Sequence, residues 1–316
     1  MDIEFLKDLV SARDDTKYKR YYADSYRDNI YPAEMEDKHK RMFRNGGGKE
    51  LDMKEGKKEK GACIYSSSML SYNFFHWIDS DHTLTLDGVE YDRVVFEEQF
   101  RVLKNRNNRA NLDVVLVSKD CKTILLFESK FTEHLKNAPV EIKPSYDWAD
   151  SYYSCPNGLY YSNGEKWVRI IKALRKMMEE SPDAVYYEGL KQVACHLMGI
   201  SNVILNENAR SWFNENSWLN KLYGVALKGN ETFIFKSIVF QPSSVQAGAL
   251  SRNYEDSNRN FVSKIDFLPS NIILANPIIT YWDLWKMGLE ESVKDPKLKV
   301  YLLKYLKTHE QQLTQL

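Results

Sequence analysis

The sharpest hydrophobic patterning lies at residues 111–132, NLDVVLVSKDCKTILLFESKFT. Two apolar runs, Leu112 to Val117 and Thr123 to Phe131, flank the polar turn Ser118-Lys119-Asp120-Cys121-Lys122. Runs of this length, the first rich in β-branched residues and both bounded by a turn signal, predict two strands that pair antiparallel. Upstream, Arg93 to Leu103 predicts a third strand. Its alternation puts Val94, Phe96, Glu98, Phe100 and Val102 on one face and Val95, Glu97, Gln99 and Arg101 on the other. A hairpin through Asn105 to Asn108 would set it beside Leu112–Val117.

The rest of the pattern is mostly helical. Ile3, Phe5, Leu6, Leu9 and Val10 predict a short amphipathic helix, with further helix up to Arg44. Ile64, Met69, Tyr72 and Phe75 recur at helical spacing within 62–78, behind the capping hydroxyls of Ser66 to Ser68. Trp167, Ile170, Ile171, Leu174, Met177 and Met178 form one stripe that ends before Pro182. A second helix runs from about Tyr186 to Met198, with Gln192 and His196 on one face. Asn202 to Leu205 predicts a strand. Leu222–Lys228 and Thr232–Gln241 predict a hairpin through Gly229-Asn230-Glu231. Residues 242–264 predict a polar helix, Ile272–Leu274 a short apolar piece, and the chain from Tyr281 onwards aromatic helix, with a last amphipathic helix over Leu298 to Leu313. The long, Pro- and Tyr-rich segment 132–166 lacks periodicity, which in a compact domain points to function.

Charge changes this picture at one place. Asp113, Glu128 and Lys130 interrupt the two central runs, at ends that become neighbours on antiparallel pairing. Glu128 and Lys130 share a face and Ser129 takes the other. Unpaired charges there would cost several kcal/mol, so they should pair or bind a cation. Two carboxylates and the Ser129 carbonyl make an oxygen-rich site suited to Mg2+, with Mn2+ as an alternative. A bound Mg2+ stabilises charge on a phosphate and acidifies water, with Lys130 beside it to hold a phosphate oxygen or orient the water.

The pattern Asp113-x14-Glu128-Ser129-Lys130 resembles the PD-(D/E)XK nuclease superfamily, the restriction-endonuclease-like nucleases, with Leu112 standing where the name-giving proline would be. An acid-x-base triplet alone is weak, since 44 acidic and 44 basic residues in 316 give about six by chance. Only Glu128-x-Lys130 ends an apolar strand preceded by another that carries an acid. A plain strand-end salt bridge is the alternative reading of that pair. The resemblance implies an α/β fold with a restriction-endonuclease-like central mixed β-sheet flanked by helices. It also implies metal-dependent cutting of DNA, with Asp113, Glu128 and Ser129 as ligands and Lys130 in support. In this superfamily a helix before the sheet often brings a further acid. The helix within 62–78 has none, and its Asn73 is more simply a satisfied core residue. Glu97 or Glu98 would supply the missing carboxylate, and Glu97, among polar neighbours, suits a site wall better. Gln192 resembles the glutamine that some of these nucleases carry on a later helix.

Composition adds limits. Net charge is zero, so charge for binding DNA must be local. The candidates are Arg101, Lys104, Arg106 and Arg109, the lysines 54, 57, 58 and 60, and the basic positions Arg169, Lys172, Arg175 and Lys176. Gly46-Gly47-Gly48-Lys49 lacks the rest of a phosphate-binding loop. Cys63, Cys121, Cys155 and Cys195 form no CxxC pair, which fits a reducing cytoplasm rather than a disulfide or zinc framework. No signal peptide or membrane-length apolar run is visible. The expected organisation is a charged N-terminal extension over 1–61, a nuclease core over 62–280 and a helical C-terminal cap over 281–316. The expected activity is that of a Mg2+-dependent, restriction-like DNA endonuclease, and a homodimer is the expected partner arrangement for cutting both strands. A structure-specific repair or recombination nuclease and a non-cutting DNA-binding scaffold are the alternatives.

Overall fold

A computed structural model describes residues 12–15, 20–47, 49–53, 58–104, 108–135, 137–153, 162–241 and 245–313. The amphipathic helix expected at Ile3 to Val10 lies outside them. Strands β1 (Ala12–Asp15) and β2 (Arg20–Ala23) form an antiparallel ribbon. Helices α1 (Asp37–Asn45) and α2 (Ser67–Phe75) precede the main sheet. Strands β3 (Leu84–Leu86), β4 (Val89–Arg101), β5 (Arg109–Ser118) and β6 (Thr123–Lys130) then run as an antiparallel meander. Four helices follow: α3 (Ser162–Glu180), α4 (Tyr187–Leu205), α5 (Glu207–Asn216) and α6 (Trp218–Tyr223). The chain re-enters the sheet as β7 (Thr232–Val239), parallel to β6. After α7 (Val245–Ser263), β8 (Ile272–Ile273) and β9 (Ile278–Thr280) each pair parallel with β7. Helices α8 (Tyr281–Leu284) and α9 (Pro296–Leu313) follow. The result, among the described residues, is a seven-stranded mixed sheet ordered β3-β4-β5-β6-β7-β8, with β9 also on β7.

Helices cover both faces of this sheet. On β6, Phe127 stacks on Phe75 of α2 with ring centroids 5.3 Å apart. Its neighbour Glu128 meets His196 of α4. Adjacent strand residues point to opposite faces, so α2 and α4 lie on opposite sides. Both central strands are therefore buried twice over, which is why they read as almost continuous apolar runs. The Ser66 hydroxyl caps α2 by accepting from the Met69 N–H at 3.2 Å. Each fully buried aromatic of α2 contributes about 1.5–3 kcal/mol by leaving water. Asn73 is satisfied within the core: it donates to the Asn29 carbonyl at 2.8 Å and accepts the Tyr31 N–H at 2.9 Å.

Four expectations need correction. The helix expected to continue up to Arg44 gives way to the β1–β2 ribbon, and among the described residues helix of that kind forms only at α1. Asn202 to Leu205 is the last turn of α4, not a strand. Its apolar residues continue the helix's own stripe, and Asn202 donates to the Arg101 and Val102 carbonyls at 2.9 and 3.0 Å. Leu222–Lys228 is likewise no strand, and no hairpin forms with β7. Leu222 and Tyr223 finish α6, which Gly224 terminates with φ +66°, a conformation that glycine adopts without steric cost. Finally, β4 does not alternate regularly. Phe96 packs toward α1 and α2, with ring centroids 5.3 Å from Phe43 and 5.6 Å from Tyr72. Phe100 instead packs on Phe213 of α5 at 4.7 Å. Phe96 and Phe100 share a parity yet face different layers, and the cause is Glu97.

Candidate active site

The β5–β6 ladder ends where Val114 pairs with Phe127. One step further along the same register, Asp113 stands across from Glu128. There the backbone of β6 turns to a side chain: the Ser129 N–H donates to Asp113 Oδ2 at 2.6 Å. Asp113 is half-buried. Burial, and then the charge of Glu128, push its pKa well above the usual carboxylate range, against Lys130. The Ser129 hydroxyl faces the other way, 2.7 Å from the Tyr281 hydroxyl.

Glu128 and Lys130 are buried, 3% and 4% exposed. Lys130 Nζ donates to Glu128 Oε1. His196 Nε2 lies 2.8 Å from Glu128 Oε2, but out of line, so neither atom has a hydrogen-bond partner. Burial alone would raise the Glu128 pKa. The ammonium of Lys130 and the His196 ring overturn that and hold it down at about 2. Burial would lower Lys130, and Glu128 and Asp113 more than reverse it, so its pKa sits well above the ordinary value. Lys130 is thus a fixed positive charge between two carboxylates.

On β4, the pairs Phe96 with Val114 and Glu98 with Leu112 put Glu97 level with Asp113. Glu97 has φ +54°, a left-handed conformation that is rare outside glycine and strained in mid-strand. This one residue breaks the alternation. Glu97 stays on the α2 side, where Ser68 Oγ donates to its Oε1 at 3.2 Å. Glu98 is thrown to the opposite layer, where its Oε2 accepts the Trp218 and Leu219 N–H groups at 2.9 and 3.3 Å. Glu98 therefore caps the start of α6. Burial, then Glu50 and Glu128, raise the Glu97 pKa to about 8. Burial raises that of Glu98 to about 7.

Two participants were missed in the sequence. Glu50, in the charged loop, lies near enough to raise Glu97 and pairs with Lys60 at 3.8 Å. Gly46 makes this approach feasible: a Cβ there would meet Glu97 Cβ at 2.7 Å and Oε2 at 2.8 Å. His196 carried a faint signal in its i, i+4 spacing from Gln192, but nothing in the sequence ties it to Glu128. Gln192 and His196 border a common cleft of about 640 Å³. His134, just past the motif, stands apart: Nε2 lies 3.2 Å from Ser251 Oγ. Burial lowers its pKa to about 3. Much of the expected basic surface is engaged within the protein. Arg101 and Arg109 stack on Trp212, Arg175 pairs with Asp147 at 2.7 Å, and Lys58 pairs with Asp24 at 3.5 Å. Arg106, Lys54 and Lys57 lie outside the described residues.

Do these residues suit a divalent cation? The donors are hard oxygens, Asp113, Glu128 and Glu97, with the Ser129 carbonyl beside them. Glu128 Oε2 is buried without a hydrogen-bond partner. Glu97 and Asp113 are raised first by burial and then by neighbouring negative charge, and a cation would relieve the second. The donor chemistry fits. The side chains are not drawn around one point, for among the described residues no three His, Cys, Asp or Glu groups converge as a metal cluster.

Among the described residues no helix is long and apolar enough to cross a membrane. Among the described residues Cys121 and Cys195 are free thiols. No curated protein and no solved structure matches the chain. A family model described as Restriction Endonuclease associating with ARP matches residues 7–194, a span that takes in α1, α2, the whole β3–β6 meander and the residues Glu97, Asp113, Glu128, Lys130 and Gln192. That match covers more than half of the 316 residues, and the chain belongs to this restriction-endonuclease family.

Proposed function

We propose that this protein is a Mg2+-dependent DNA endonuclease of restriction type that hydrolyses phosphodiester bonds. The observation that carries the proposal is the row Glu97, Asp113 and Glu128 at one register level of three adjacent strands, with Lys130 two residues beyond. Asp113 and Glu128, aided by Glu97 and the Ser129 carbonyl, would hold the ion, and Mn2+ is an alternative to Mg2+. The ion supplies positive charge against the phosphate and acidity to water. Lys130 keeps its proton and offers an ammonium to a phosphate oxygen or to the charge developing there. In the present arrangement Glu128 holds that ammonium, so binding of substrate and cation would exchange an internal ion pair for contacts with the phosphate. His196 confines the Glu128 carboxylate from the α4 side. Cutting both strands of a duplex calls for two such sites, which a homodimer would bring together.

One observation favours a second reading. With Glu128 closed on Lys130 and no converged cluster, the fold would also suit a DNA-binding scaffold that does not cut. Plasmid incubated with protein and Mg2+, with EDTA, and with Asp113→Ala or Lys130→Ala protein separates the two. Metal-dependent cutting that both variants lose supports the nuclease. Binding that is indifferent to metal, with no cleavage of plasmid, single strands or RNA, supports the scaffold.

A further inference from the structure

Beside Glu128, on the far side of His196, lies a polar cleft. It lies between the start of β5 and the outer face of α4 and holds about 640 Å³, within the range of about 300–1,000 Å³ typical of ligand sites. Asn108, Asn111, Gln192 and His196 border it, with Lys143 and Lys191 at its margin. Among the described residues Asn108 Nδ2, Asn111 Oδ1, Gln192 Oε1 and His196 Nδ1 are buried without a hydrogen-bond partner, while His196 Nε2 faces Glu128 Oε2 at 2.8 Å. His196 itself is only 2% exposed. Each such atom costs about 1–3 kcal/mol if it stays unpaired, and native folds seldom leave several in one place. Here they gather around one open cleft. A partner for them has to come from that side.

We infer that this cleft is a subsite for one unpaired nucleotide of the substrate, with preference for adenine. The inference rests on the DNA-cutting reading and names what that site takes next to the scissile phosphate. Carboxamides accept from the adenine amino group and donate to its ring nitrogen, a pairing that other bases match less well. Concavity decides between paired and unpaired DNA. Reading a duplex takes a helix or ribbon that protrudes into the groove. A recess lined by carboxamides receives only a base that has left the stack. Among the described residues Lys143 is exposed and in no ion pair, whereas Lys191 shares its charge with Glu188 at 3.2 Å. His196 links this recess to Glu128, so a nucleotide seated there would lie against the row of carboxylates.

The test is fluorescence anisotropy in EDTA, where no cutting intervenes. The probes are short labelled oligo-dT, the same strand with a single central dA, and the dA strand annealed to its complement. Wild-type protein should bind the dA-containing single strand roughly tenfold more tightly than plain oligo-dT, the scale of one carboxamide–adenine pair, and more tightly than the duplex. Gln192→Leu and Asn111→Leu, each checked for a native melting transition, should bring the dA preference close to one. Lys143→Ala should weaken all strands alike. Equal binding of the two single strands, a preference for the duplex, or a dA preference that survives both leucine variants would overturn the inference. Plasmid cleavage with Mg2+ is read separately. A protein that cuts but shows no dA preference retains the nuclease reading and loses this one, and the reverse result does the opposite.

Discussion

Asp113 accepts the Ser129 backbone N–H at 2.6 Å, so the acid on β5 is fixed by the strand that carries the other two motif residues. The contact gives Asp113 two separable duties, as the acceptor for that N–H and as a negative charge.

Asp113→Asn keeps an acceptor and removes the charge, whereas Asp113→Ala removes both. Cutting with Mg2+ should fall by roughly a hundredfold or more in either variant, the scale of a few kcal/mol of lost charge stabilisation. Thermal unfolding should separate them. The Ala variant leaves a Ser129 N–H unpaired at a cost of about 1–3 kcal/mol, and the Asn variant avoids it. If Asn cuts like wild type, the charge of Asp113 plays no part.

The neighbours Glu97 and Glu98 should separate just as cleanly. Glu97→Gln removes a carboxyl, level with Asp113, that a bound cation would ionise, and cutting should fall steeply while the fold holds. Glu98→Ala exposes the start of α6, where Trp218 and Leu219 lose their acceptor. Its Tm should drop, each kcal/mol being worth about 1.5 °C at this size, while activity per folded molecule stays near wild type. Equal loss of activity in both variants, at full stability, would mean that Glu98 also reaches the substrate.

This pair shows where sequence reasoning reached its limit. The central strands, their antiparallel pairing, the Ser66 cap and the meeting of Asp113 with the end of β6 follow from local pattern and turn length. The faces of β4 do not, because they hang on one dihedral angle, φ +54° at Glu97. No propensity foretells that a glutamate will adopt it. Glu50 and His196 were equally hidden. Each reaches the site through tertiary packing, one by the close passage of Gly46 and the other across the α4 layer. The lost strands at Asn202–Leu205 and Leu222–Lys228 were short apolar runs, for which helix and strand look alike.

The raised pKa of Glu97 carries a stability prediction. Burial and the nearby carboxylates lift it from 4.5 to about 8. Between those values the folded chain holds a proton that the unfolded chain has lost. Its contribution is whole below about pH 4.5 and drains away as pH rises through about 8. Other buried groups pull both ways: Glu98 and Asp113 act like Glu97, while His39 and His134, lowered to about 3 by burial, act oppositely. The difference between variant and wild type isolates the effect. In EDTA, Glu97→Gln should match wild type in Tm near pH 4.5 and exceed it by several degrees above pH 8, where each kcal/mol is worth about 1.5 °C. A Tm difference that is flat with pH would show that Glu97 is not held protonated.

Glu128 and Lys130 offer the complementary case, since each is buried and each neutralises the other. Removing one partner strands the other charge away from water, a loss on the order of 3–5 kcal/mol. Replacing both by neutral groups of similar size often costs little. Lys130→Met and Glu128→Gln should therefore each lower stability, and the double variant should recover much of the loss. None of the three should cut DNA. The pH response should follow the carboxylate. Because Glu128 is held at about 2, its contribution is present above about pH 4.5 and fades as pH falls through about 2. Lys130→Met should weaken that acid sensitivity, as Glu128 then has only His196 to hold its charge. A denaturant titration of the four proteins closes the cycle. Additive losses would mean that the pair is no more than two neighbours. A double variant more stable than wild type would show that the ion pair is kept at some expense to the fold, as expected if Lys130 is needed at the phosphate.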